Sequence, residues 1–121
     1  FVEYDASLGY MMVHAGIPAD FDLDKSLYYS QKIQSKLKSD NAPQWLIKKL
    51  EKGADGLDQS NNKNKKNRYA LNAFTRLRFC YNDGRANFEQ KGKPTRKTYE
   101  EGLVPWFNLR NRKEGEPKII F

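Results

Sequence analysis

The stretch Tyr10 to Pro18 (YMMVHAGIP) constrains this chain more than any other. Tyr10 to Val13 is apolar and too short for a helix, and Gly16 with Pro18 stops it, so it reads as a buried strand. The strand delivers the single histidine of the sequence, His14, directly into two small residues, Ala15 and Gly16. A backbone free to turn sharply there leaves the imidazole at the open edge of a sheet. Two readings of His14 are open at this point. A neutral imidazole is a good ligand for a divalent metal, and a core histidine held by a backbone carbonyl looks the same in sequence. A metal would in any case need partners, because protein sites use three or more ligands.

The chain has 121 residues, enough for one domain with a modest core. Its formal net charge is +7, and the excess is concentrated rather than spread. Between Lys63 and Lys97 eleven basic residues stand against two acids, Asp83 and Glu89. Such a segment seeks phosphates, whether on nucleic acid, nucleotides or a membrane surface. One cysteine, Cys80, excludes an internal disulfide and suits a reducing compartment, so the expected location is cytoplasmic. No run is long enough to span a bilayer and no signal-peptide pattern is present. Phe1 to Tyr4 already reads as strand interior and the chain stops inside Ile119-Ile120-Phe121, so the expectation is a piece of a longer protein.

Along the chain, Asp5 to Gly9 supplies turn chemistry between Phe1–Tyr4 and Tyr10–His14, which predicts a hairpin. Asp20, Asp22 and Asp24 mark a helix start. From Leu23 to Leu37 the spacing puts Leu23, Leu27, Tyr29, Ile33 and Leu37 on one arc, with Lys25, Lys32 and Lys36 opposite. A second, short helix is expected after Pro43, with Trp45, Leu46, Ile47 and Leu50 as its apolar side and Gly53 at its end. The polar, lysine- and asparagine-rich stretch near 55–67 reads as a disordered basic loop, either simply solvated or serving as a phosphate-binding arm. Tyr69 to Thr75 suits a helical turn or two, Leu77 to Tyr81 alternates as a strand, and Asn82-Asp83-Gly84 turns it back into Ala86–Phe88.

Asn72 and Arg76 are four apart and share a helix face. Arginine presents a planar fork matched to phosphate oxygens, so Arg76 and Arg78 are candidates for gripping a polyphosphate. Ordinary surface arginines bridging to nearby acids would look the same. Lys91 to Lys97 reads as a connector, Leu103 to Phe107 as an apolar knot packed on the helices, and Asn111 to Lys118 as a loop before a strand at Ile119–Phe121. Trp106 is either core or a stacking surface for a base. No internal repeat, phosphate-cradling glycine loop, paired zinc cysteines or serine–histidine arrangement is visible.

Met12 to Ile17 (MVHAGI), Asn72 to Cys80 (NAFTRLRFC) and Pro105-Trp106-Phe107, taken together and in order, resemble the symmetrical bis(5'-nucleosyl)-tetraphosphatases, members of the calcineurin-like metallophosphoesterases. The likeness covers nearly the whole chain and is weakest in the lysine–asparagine stretch. It implies an α+β fragment of a four-layer α/β/β/α metallophosphoesterase sandwich. Residues 1–18 would be core strands ending at a metal-ligand histidine, 19–118 a mostly helical, substrate-covering insertion with a β-hairpin, and 119–121 the start of another core strand. It further implies a dinucleoside polyphosphate substrate, split symmetrically into two ADP by a hydroxide activated on two divalent ions, manganese or cobalt. His14 matches the family's metal-ligand histidine, and Asn72, Arg76 and Arg78 would contact the substrate. The family's other metal motifs are absent from this chain, so the chain alone is expected to bind no metal pair and to be inactive.

Two further expectations stand beside that one. The basic segment with interleaved Phe74, Phe79 and Tyr81 is also what a nucleic-acid or nucleotide binder without catalysis would carry. Strands at both ends of the chain would leave exposed edges, which predicts self-association through them.

Overall fold

A computed structural model describes residues 1–39, 63–109 and 115–121. The expected short helix after Pro43 lies outside the described residues. The N-terminal hairpin forms as the pattern requires: β1 (Val2–Asp5) pairs antiparallel with β2 (Tyr10–Val13), Val2 opposite Val13. Asp5 closes the turn by accepting from the Ser7 and Leu8 N–H groups and the Ser7 hydroxyl. These bonds hold its carboxyl below the usual range, the Ser7 side chain contributing most. Gly9, at φ +68°, takes the left-handed turn position.

Helix α1 (Leu23–Leu37) has the bounds its periodicity predicts, and Asp22 caps it by accepting from the Lys25 N–H at 2.8 Å. Its contact face is rotated from the expected arc. Ser26, Ser30 and Ile33 are buried, whereas Leu23, Leu27, Tyr29 and Leu37 are partly buried at the edge of the core. Small serines let β1 come close, and each has its hydroxyl occupied. Ser30 Oγ accepts from the Val2 N–H, and Ser26 Oγ donates to the Asp22 carbonyl.

Helix α2 (Lys63–Arg76) corrects the reading of 55–67 as loop, because its last five residues are helical. The downstream apolar residues Tyr69, Ala70, Ala73, Phe74 and Leu77 anchor this helix in the core, and packing rather than propensity carries it back through the polar lysines. Strand β3 (Phe79–Tyr81) then pairs with β4 (Ala86–Asn87) across the predicted turn, with Gly84 at φ +92°. The supposed connector at 91–97 runs into a short helix, α3 (Arg96–Glu100), started by a Thr95–Thr98 capping box. The apolar knot is itself strand rather than a pad on the helices: β5 (Leu103–Pro105) pairs with β3 and passes into a 3-10 turn, Trp106–Asn108. Finally β6 (Lys118–Ile120) lies parallel to β2.

Among the described residues the result is a mixed α+β architecture with two three-stranded sheets, ordered β1-β2-β6 and β4-β3-β5. One apolar cluster joins them, running from Val2, Met11 and Val13 through Ile33, Phe74 and Leu77 to Cys80 and Trp106. Trp106 is 2% exposed and belongs to this core. No described helix is long and apolar enough to cross a membrane.

Candidate functional site

His14 leaves the end of β2 exposed to solvent, and the backbone just after it is fixed by α2. The Ala15 N–H donates to the Phe74 carbonyl at 3.0 Å, and the Gly16 N–H to the Ala73 carbonyl at 3.2 Å. The turn after the histidine is thereby pinned to the last turn of α2, where the Ala73 carbonyl also accepts from the Leu77 N–H at 3.1 Å. Gly16 is needed for this approach: a Cβ there would lie 2.9 Å from the Leu77 carbonyl oxygen and 3.1 Å from Trp106 Cδ1.

Arg78 reaches the same place from the other side. It lies just past the end of α2, and its carbonyl accepts from the Trp106 N–H at 3.0 Å, which ties it to the turn after β5. His14 and Arg78 line one cavity of about 250 Å³, walled by Trp106, Phe107 and Phe121 with Pro94 and Pro105. Phe107 and Phe121 stack with centroids 5.5 Å apart, and Trp106 meets both edge-on. No carboxylate lines the cavity among the described residues. A guanidinium and an imidazole on an aromatic floor suit a ligand that has both anionic and flat apolar parts.

Asn72 and Arg76 do not line that cavity. They sit on α2 with Tyr69, on a common face by helical spacing. Asn72 is 3% exposed with its amide nitrogen unpartnered, and Arg76 is half-buried with Nε unpartnered, its guanidinium 5.2 Å from the Phe88 ring centroid. Tyr69, also unpartnered at its hydroxyl, packs edge-on against Phe88. Burial, with the Asp20 charge second, pushes the Tyr69 phenol up. The four residues singled out in the sequence thus divide into a pair that shares a cavity and a pair turned inward. The aromatic wall is half legible in the sequence: Trp106 stands out there, but Phe107 and Phe121 are brought together only by the pairing of β6 with β2. Among the described residues no three His, Cys, Asp or Glu side chains gather as a metal site.

Fold and cavity together define an α+β chain with a cationic, aromatic-walled recess suited to a phosphorylated ligand. No family model matches the chain. Over nearly all its length, however, it is similar to proteins named symmetrical bis(5'-nucleosyl)-tetraphosphatase. Identity is 38% with that of Aliivibrio fischeri, across 98% of this chain and 42% of the relative. It is 37% with that of Aeromonas salmonicida, across 92% and 40%, and 32% with that of Cellvibrio japonicus, across 99% and 44%. The chain is a relative of the symmetrical bis(5'-nucleosyl)-tetraphosphatases, and it spans about two fifths of the length of the curated relatives it matches.

Proposed function

We propose that this chain is part of a hydrolase that cleaves diadenosine tetraphosphate symmetrically to two ADP. The observation that carries this reading is that His14 and Arg78, far apart in sequence, line one cavity. The names of the relatives support the substrate class. In this reading Arg78 holds a phosphate through its planar fork, and the exposed Phe107 and Phe121 rings, backed by the buried Trp106, receive an adjoining flat group. Asn72 and Arg76 act one layer behind.

The sheet arrangement supports the proposed division of the chain. Strands from residues 1–18 and 118–120 share one sheet, while the described strands between them form another. The first would belong to a metallophosphoesterase sandwich and the second to the insertion that covers its site. This reading calls for two divalent ions, manganese or cobalt, and the described residues do not fit such a pair by themselves. His14 is proposed as one ligand of a centre completed elsewhere.

The test has two arms. Purified chain with manganese and diadenosine tetraphosphate should yield no ADP above blank, and turnover would overturn the proposal that a further ligand set is needed. Within a protein of the relatives' full length, Arg78→Ala should lower kcat/KM by about a hundredfold. Unchanged kcat/KM would remove Arg78 from the site.

A further inference from the structure

A groove between α1 and α2 shares no lining residue with the His14 cavity. Its larger recess, about 270 Å³, is lined by Tyr28, Tyr29, Lys32, Lys36, Lys66 and Asn67. Tyr28, Lys32 and Lys36 recur at four-residue steps along one side of α1, and Lys66 faces them from α2. No carboxylate lines this recess among the described residues. Tyr28 is 53% exposed, with the Lys32 ammonium 5.5 Å from its ring centroid. A smaller recess of about 110 Å³ adjoins it through the shared Tyr29 and Lys66. There Asp20 is already engaged by Lys25 at 3.3 Å. Tyr69 also lines the smaller recess, 3% exposed and with its hydroxyl unpartnered.

We propose that this groove is a second ligand site, for a free nucleotide. Three ammonium groups at the mouth suit phosphate oxygens, and an exposed tyrosine ring beside them suits a base. A ribose hydroxyl or phosphate oxygen entering the smaller recess would give the Tyr69 hydroxyl the partner that a buried polar group requires. The charge pattern explains why the ligand is not a neutral nucleoside, and the ring why it is not bare phosphate. This site stands on its own residues and does not depend on the reaction proposed for the His14 cavity.

Calorimetry on the Arg78→Ala chain, in which the other cavity contributes least, tests it with ADP, tripolyphosphate, adenosine and a short deoxythymidine oligomer as probes. ADP should bind, more weakly as salt rises, and adenosine should not. Lys32→Glu with Lys66→Glu should weaken ADP at least about tenfold, and Tyr28→Ala should weaken ADP roughly tenfold while leaving tripolyphosphate unchanged. Lys32→Gln with Lys66→Gln, checked by circular dichroism, replaces the charge reversal if that variant fails to fold. Amide shifts on ADP titration should fall in 25–36 and 66–69. Indifference of ADP to these substitutions overturns the site. Tripolyphosphate binding as tightly as ADP, or the oligomer binding more tightly, overturns its assignment to a free nucleotide.

Discussion

Gly16 has no side chain because there is no space for one: the Leu77 carbonyl and the Trp106 ring close over its Cα. Gly16→Ala would force the His14 turn away from α2 at a point where both partners are held by hydrogen bonds. The expected cost is about 1–3 kcal/mol, read as a lower urea midpoint with unchanged slope. At this scale the sequence is informative about residue type and uninformative about company. His14 stands out through being the sole histidine, and Arg78 through alternation with Leu77 and Phe79. Which of Arg76 and Arg78 faces a cavity depends on where the helix ends, a matter of one residue that spacing does not decide.

Among the elements, the bounds of α1 are legible because the acids mark its start and the apolar spacing its length, whereas the face it buries, with Ser26 and Ser30, is not. The Asp22 side chain contributes its cap, and Asp22→Ala should lower stability by about 1 kcal/mol, measured by thermal denaturation. The opposite case is α2, whose first turns carry lysine and asparagine and offer no apolar repeat, so only the core contacts further on reveal it. Helix α3 is five residues long and is hidden by its polarity, although Thr95 and Thr98 carry its start signal. The β3–β4 hairpin is given away by its turn. Asp83 accepts from the Arg85 backbone and side chain, which lowers its own carboxyl, backbone first.

For the whole molecule, class is readable from the sequence and topology is not. Apolar runs and turn signals mark most of the strands, but nothing in them says that β6 returns to β2 or that β5 lies on β3. The shared core carries a pH dependence. Burial, with Asp83 second, pushes the Cys80 thiol up from an ordinary 9.0 to about 11, and Tyr69 moves in the same direction. Between those values the unfolded chain has released a proton that the native chain keeps. Unfolding is therefore favoured as pH rises, and stability that is intact below pH 9.0 declines toward about 11. Thermal midpoints measured across this window should fall, and Cys80→Ala should flatten the fall. An unchanged slope in that variant would assign the effect elsewhere.

The parallel pairing of β2 with β6 joins residues 108 positions apart, Tyr10 opposite Lys118. Contacts between residues so distant along the chain form slowly, because the intervening length must first be drawn together. During synthesis the histidine strand therefore waits, hairpin already made, for its neighbour to emerge much later. The recess that Phe121 helps to wall can close only at that step, so nascent or nicked forms of the protein would present His14 and Arg78 without the surface that shelters them.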